Sequence, residues 1–480
     1  MERKQKSLAT SSSRAPGACA DSVFRFFSLP EEVSHHILSF LPVKDLIRYG
    51  GLSKKCKDLQ LSTPSLNFEG FLHLSNNRHF RLLSCLDRFL VLRGDNKIRR
   101  FRVDWNLAVG KTASLYNELY RVITWVHVAV KCNVEELDLK LAIPDATMFE
   151  LPLCIFDCGS LRSLLVECDK VLATPSVACS TNLQYIKLRK VKIDEGFCKW
   201  ISFSCKCIKE LHFEEVEVEN ITIESLSLES FSFVCPSYCD LRQLQISGEK
   251  LEEIVIEWRC DLPSSTSFSV SAPNLTSFKW TGNLLNHQSL GNLVCLEKAE
   301  IFLSPPADDY NFDNTFEVLH SICKVKVLVL SEETAKALFR EGHIPAQFND
   351  ISYLGMDIKS WDDDVVPAMV SLMKGMPNLN TLNLKSNHSV NIPKPEECRF
   401  DRTYWKSQNL SLILELKEVI IELSVGNIEL ELARYILEDA KNLQKMVIIY
   451  SPQQSNLIRG LKESKKNSTA IIVFQEKQRK

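Results

Sequence analysis

The chain has 480 residues, enough for about three domains or one extended array. Its 58 basic and 60 acidic side chains leave a net charge of −2, which excludes whole-protein electrostatic binding to nucleic acid, since that needs a basic footprint. Hydrophobic residues make up 45% and charged ones 25%, as in ordinary folded proteins, and no run approaches the ~18 apolar residues of a membrane span, so no membrane partner is expected.

Residues 1–22 are basic and Ser-rich without an apolar stretch, and read as a flexible tail rather than a secretory signal. On that reading the 17 cysteines are mostly reduced. The sequons at Asn220, Asn274, Asn387, Asn409 and Asn467 then carry no glycan information, and the expected location is cytoplasm or nucleus.

Residues 28–41 read as a short helix. Pro30 suits a first turn, where its missing N–H costs nothing. Glu31 and Glu32 sit where the helix dipole favours acids. Val33, Ile37 and Leu41 recur four apart, Leu38 widens their stripe, and Pro42 ends the helix. Lys44 to Tyr49 reads as a second helix, and Ser53 caps a third over Lys54 to Leu61. Helices this short cannot bury so much apolar surface alone. Part of the stripe meets a partner or packs on the rest of the chain.

Leu29-Pro30-Glu31-Glu32-Val33, His36-Ile37-Leu38-Ser39-Phe40-Leu41-Pro42, Lys44-Asp45 and Leu52-Ser53-Lys54-Lys55 together resemble an F-box, over residues 23–68. The resemblance implies docking on a Skp-type adaptor and, through it, on a cullin. By position it implies that Leu29, Pro30, Val33, Ile37, Leu38 and Leu41 form the adaptor contact, supported by Leu46 and Leu52. The sequence departs from the family at Gly50 and Gly51, where a branched or small residue and then an aliphatic one are usual. It departs again at Cys56 and Gln60, where tryptophans are usual. Glycines inside a helix cost roughly 1 kcal/mol each, and two lost aromatics remove buried area, so a loosely held third helix and weaker adaptor binding are expected.

Downstream, one pattern recurs: apolar-x-x-apolar-x-apolar. Copies begin at Ile98, Val134, Leu161, Leu183, Ile208, Leu275, Leu296, Val325, Ile351 and Leu379. Most neighbours start about 21 to 29 residues apart, matching the 20–29-residue period of leucine-rich repeats. Copies at Leu228, Leu241 and Leu251 are closer and leave no room for a helix, so bare strand and loop is expected there. The fourth and sixth positions of each copy face a common core, and those between face solvent. No copy buries its apolar face alone, so stacking is obligatory. Asp362 to Met376 reads as a connecting helix: Val366, Met369, Met373 and Met376 share a face, Pro367 falls in the first turn, and Pro377 follows Gly375. The outward row carries Glu136, Asp138, Lys140, Tyr185, Lys187, Arg189, Glu210, His212 and Glu214, then Lys279, Asn383 and Lys385. Its mixed signs and tyrosine suit a protein target.

Leu416 to Ile421, Leu443 to Ile449 and Ala470 to Phe474 read as further strands in equal steps. Between them, helices are expected over Asn427 to Ala440, capped by Asn427, and over Asn456 to Glu463. The stretch opening at Leu92-Arg-Gly-Asp95 resembles plant F-box leucine-rich-repeat proteins. Leu416-Lys-Glu-Val419, Glu429 to Leu437 and Ala440 to Met446 resemble the FBD domain of that family, over residues 400–475. The resemblance implies a mixed α/β fold: a three-helix F-box, then an irregular leucine-rich-repeat solenoid over residues 95–395 that continues into the FBD. It implies the substrate-recognition subunit of a cullin-based ubiquitin ligase. The alternative is a repeat scaffold whose F-box has drifted.

Other motifs point to no catalysis or cofactor. Gly110-Lys111-Thr112 ends like a phosphate loop, but Trp105 stands where the first glycine must be. Cys154/Cys158, Cys205/Cys207 and Cys235/Cys239 lack the paired spacing of zinc knuckles, and read as core thiols. His35-His36 lies on the first helix, Asp362-Asp363-Asp364 starts a helix, and Lys477, Arg479 and Lys480 form a solvated tail. No metal is expected.

Overall fold

The computed structural model describes residues 28–69, 76–107, 112–144, 150–176, 182–260, 265–285, 287–305, 315–338, 348–386, 400–423, 428–452, 461 and 470–477. Expectations for residues 1–22, Gly110-Lys111, the cap at Asn427, nearly all of 456–463, the sequons at Asn387 and Asn467, and the tail beyond Lys477 lie outside them. The chain forms two compact units, Met1–Thr147 and Met148–Lys480.

The first unit opens with three helices, α1 (Glu31–Leu38), α2 (Val43–Gly50) and α3 (Lys54–Ser62). Pro30 is the N-cap of α1 and Pro42 that of α2. The first helix stops at Leu38 and not at Leu41. The run to Pro42 closes in tight turns, with Phe40 N–H on Ile37 O and Leu41 N–H on Leu38 O, because the residue before a proline leaves the helical region. Ser53 caps α3 as expected, its hydroxyl accepting from Cys56 N–H at 3.1 Å. Gly50 and Gly51 are not interior: Gly50 ends α2 and Gly51 is its C-cap, where a glycine costs little. Nor is α3 left loose. His35 on α1 meets the Ser62 hydroxyl at 2.9 Å, and Leu61 O accepts from both Arg93 and Asn96.

The sheet begins earlier than the spacing suggests. Strands β1 (Ser65–Glu69), β2 (Arg100–Asn106) and β3 (Glu136–Ala142) pair in parallel, with Leu66 beside Phe101 and Phe101 beside Leu137. The copy on β1 is disguised because buried Thr63 fills its first apolar position, its hydroxyl bonded to Leu59 O. Helices α4 (Asn76–Arg93) and α5 (Thr112–Lys131) complete the unit. Trp105 and Trp125 meet edge to face at 5.3 Å over Phe68, and their indole N–H groups donate to Glu118 and Asp87. Buried tryptophans need such partners.

The second unit is built on one long parallel sheet. Its first strands are β4 (Ser163–Val171), β5 (Tyr185–Lys192) and β6 (Glu210–Glu214), with helix α6 (Glu195–Ser204) between the last two. Then follow β7 (Asn220–Glu224), β8 (Ser230–Tyr238), β9 (Gln243–Ser247), β10 (Glu253–Arg259), β11 (Ser267–Ser271), β12 (Ser277–Asn283), β13 (His287–Ser289) and β14 (Lys298–Ser304). Among the described residues no helix interrupts β6 to β14, and the crowding of copies at Leu228, Leu241 and Leu251 predicts this for that part of the stretch. These strands alternate between two sheets. Strands β6, β8, β10, β12 and β14 continue the main sheet, while β7, β9, β11 and β13 form a second one. The copy at Leu241 therefore lies on the second sheet, and Val218, Ile221 and Ile223 are a further copy there. Phe268 of β11 against Trp280 of β12, 4.9 Å between rings, packs one sheet on the other.

Helices return after β14. The remaining elements are α7 (Thr315–Ile322), β15 (Val327–Ser331), α8 (Glu332–Leu338), β16 (Tyr353–Ile358), α9 (Val365–Lys374) and β17 (Thr381–Ser386). Then come α10 (Arg402–Ser407), β18 (Glu418–Glu422), α11 (Ile428–Asp439), β19 (Lys445–Tyr450) and β20 (Ile471–Glu476). The last strands extend the same sheet in register: Leu382 beside Val419, Val419 beside Met446, Met446 beside Ile472. Most strands start two residues after their pattern's first apolar position, a buried residue that belongs to the preceding turn, as Val134, Leu161, Leu183 and Leu416 do. Leu416 N–H, for example, bonds to Leu412 O.

Candidate functional site

Two surfaces hold the residues singled out from the sequence. On the three-helix module the apolar stripe divides. Leu38, Val43 and Leu46 are buried, with Leu38 only 2% exposed, so Leu38 is core and not contact surface. Leu29, Val33 and Ile37 are 38%, 43% and 42% exposed, and Pro30 is exposed beside them. Leu41 is half-buried, and Leu52 is 72% exposed, a surface residue rather than a support. Phe40, 73% exposed, was missed by the sequence reading although it follows Ile37 at helical spacing; the ring of His36 meets it edge-on at 5.0 Å. Helical periodicity alone assigns α1 one apolar face. The structure gives it two, one toward α2 and α3 and one toward solvent.

Cys56 and Gln60, in place of the usual tryptophans, are both buried. A Cβ on Gly50 would lie 1.6 Å from Gln60 Oε1, so the glycine and the glutamine fill one space between α2 and α3. The Tyr49 phenol is pushed above its ordinary titration range by burial first and by the neighbouring Cys56 thiol.

The second surface is the outward face of the main sheet. Strand register sets Tyr185 beside Glu210, Lys187 beside His212 and Arg189 beside Glu214. The rings of Tyr185 and His212 lie 5.3 Å apart, and His212 Nε2 is 3.5 Å from Glu210. The cations are already engaged: Lys187 reaches Glu214 at 3.0 Å, and Arg189 reaches Glu214 at 3.1 Å and Glu167 at 3.4 Å. Glu167, opposite Arg189 in the strand register, and Glu215, 3.8 Å from Arg189, belong to this cluster. Glu136 and Asp138 lie on β3 of the first unit, paired with Arg100 at 3.6 Å and Arg102 at 3.3 Å.

The motifs set aside have structural roles. His35 bonds Ser62. Asp362 accepts from the N–H groups of Asp364 and Val365 and pairs with Lys336 at 2.8 Å. Burial pushes the thiols of Cys168 and Cys198 up to about 12, which keeps them protonated. Among the described residues no group of three or more His, Cys, Asp or Glu side chains is placed to hold a metal, and no helix is long and apolar enough to cross a membrane.

An F-box family profile matches residues 26–67, and a leucine-rich-repeat profile, described as At1g61320/AtMIF1, LRR domain, matches residues 97–477. An F-box/LRR-repeat protein of Arabidopsis thaliana is 25% identical over 93% of this chain and 93% of its own length. A putative F-box/FBD/LRR-repeat protein of the same plant is 26% identical, covering 89% of each chain. Another F-box/FBD/LRR-repeat protein is 24% identical over 94% of this chain and 98% of its own. The two profiles together span both compact units, in the order in which helices and repeats follow one another: the chain belongs to the plant F-box/LRR-repeat proteins.

Proposed function

We propose that this protein is the substrate-recognition subunit of a cullin-based ubiquitin ligase. F-box/LRR proteins are typically non-catalytic adaptors, and an F-box implies binding of a Skp-type adaptor in general. The observation that carries the reading is the set of exposed apolar side chains Leu29, Pro30, Val33, Ile37, Phe40 and Leu52, on a module whose other apolar residues are buried or half-buried. Exposed apolar side chains in this number on so small a module mark a docking surface. The chain itself forms and breaks no bond. It holds a target beside the charged enzyme and raises its effective concentration.

In this reading residues 1–22 are a tail, 23–68 the F-box, 95–395 the repeat array that captures the target, and 400–475 the FBD. The working compartment is cytoplasm or nucleus. A triple variant, Leu29→Ala with Val33→Ala and Ile37→Ala, alters only partly exposed side chains and tests the docking surface. Co-purification with the adaptor should fall at least about tenfold, while the thermal unfolding midpoint stays near that of the parent. Unchanged co-purification would rule the surface out and favour a repeat scaffold without ligase function.

A further inference from the structure

The outward face of the second unit's main sheet changes character along the array. From β5 to β14 its central row is mostly polar, running through Lys187, His212, Ser232, Val255, Lys279 and Glu300. From β15 onward the same row reads Val329, Gly355, Asn383, Ile420, Val447 and Val473, each beside the next across the ladder. Asn383 does not break this apolar strip, because its amide N–H donates to the Tyr353 hydroxyl at 2.7 Å. Gly355 leaves room for the tyrosine ring: a Cβ there would stand 3.3 Å from Tyr353 Cε1 and 3.2 Å from a Val329 methyl. Val329 and Ile420 are half-buried, and Val473 is exposed, as is Ile471 beside it on β20.

Charged residues line both sides of the strip. On one side Glu418 pairs with Lys445 at 2.7 Å, and on the other Lys477 pairs with Glu422. Lys385, on that second side and opposite Asp357 in the register, is exposed and makes no ion pair among the described residues. An apolar centre within a polar rim is the layout of a protein interface.

The strip also selects the form of chain that fits it. It crosses the strands from β15 to β20, about 24 Å at ~4.8 Å per strand. The backbone beneath is engaged in the parallel ladder. An extended segment laid across it would bury N–H and C=O groups without partners, whereas a helix satisfies its own. One helical turn rises ~5.4 Å, close to the strand spacing, so anchors at i, i+4, i+7 and i+11 meet successive strands. We infer that this strip takes one amphipathic helix of the target, about four turns long, with an acidic residue on its flank beside Lys385. The inference rests on the reading of the outward face as the target surface, and sets the helix on β15 to β20 and not at Tyr185.

A phage-displayed library of random 18-residue peptides, selected on the full chain, tests this. Enriched peptides should carry apolar residues at i, i+3 or i+4, i+7 and i+11 with Asp or Glu alongside, and should gain helical circular dichroism on binding. Ile420→Gln with Val473→Gln should weaken a selected peptide at least about tenfold, and Lys385→Glu about threefold, at an unchanged unfolding midpoint. Val473→Gln alone, on an exposed side chain, replaces the double variant if that does not fold. Adaptor co-purification should be the same in every variant. Loss of the adaptor from the parent with peptide binding kept would therefore remove the ligase and leave the helix site standing. The inference is overturned if no peptide is enriched, if the enriched peptides alternate with period two, or if they bind these variants as they bind the parent. It is overturned equally if the parent sediments as a dimer and Val473→Gln as a monomer, since a second copy then covers the strip.

Discussion

At the scale of single residues, the fold depends on glycines whose necessity is invisible until strands are paired. Gly282 lies on β12 opposite Trp258 with a φ of 153°, and a Cβ there would stand 1.8 Å from the Trp258 carbonyl oxygen. That neighbour is backbone and cannot swing aside. Gly282→Ala should therefore cost at least about 3 kcal/mol, at the upper end for an overpacked core, and urea unfolding of the full chain measures it. A loss below about 1 kcal/mol would mean that β10 and β12 can separate locally. Gly50 is the opposite case. Its obstacle is a side-chain amide, so Gly50 and Gln60 are coupled choices. Taken one position at a time, each departs from the F-box pattern and looks like a defect; only the packing shows that they fit together.

At the scale of elements, helix starts were legible where a side chain caps a neighbouring amide. Ser53 is legible this way and Asp362 as an acidic helix start, but Asp194, the cap of α6, is not, because the repeat pattern marks no helix there. Asp194 accepts from Phe197 N–H at 2.9 Å and binds the Thr174 hydroxyl, which holds its carboxyl below the usual range against partial burial. A depressed carboxyl pKa adds stability above its unfolded value, about 4, and that stability is lost as pH falls through the folded value. Asp194→Ala should thus cost about 1 kcal/mol at pH 7, and the gap to the parent should narrow below pH 4. A gap equal at pH 7 and pH 3 would show that the charge plays no part.

The strand pair β5 and β6 carries the next expectation. Lys187 and Arg189 belong in the sequence to a mixed-sign outward row facing a target, and across the ladder they are tied to Glu214 and Glu167. Reversing both charges places like charges side by side and should lower the unfolding midpoint by a few degrees before any target is considered. Tyr185→Ala and His212→Ala leave those ion pairs intact, so they are the cleaner test of target capture on this face. If both variants retain full capture at an unchanged midpoint, the target binds elsewhere.

At the scale of the whole molecule, the repeat was legible because each copy's inward pair must be apolar: Ile186 and Leu188, Phe278 and Trp280, Leu382 and Leu384 are all buried. The second sheet was not, since β7 and β9 use the same pattern as the main sheet and spacing alone cannot assign a strand to a layer. The opening strand was hidden by Thr63. The C-terminal strands bear most directly on how the protein is divided. Strands β18, β19 and β20 pair in register on β17, so the FBD stretch closes the sheet of the second unit instead of standing apart. A chain cut after Ser386 would expose the backbone edge of β17 and lose Val419, Ile421, Met446 and Ile448 from the core, each worth about 1.5–3 kcal/mol when buried. Stacked repeats need a terminal unit to stay soluble. The truncated chain should therefore aggregate or unfold well below the parent's midpoint, and residues 400–480 alone should show no cooperative transition by calorimetry. Two fragments that each unfold cooperatively and remain soluble would instead make the FBD an independent domain.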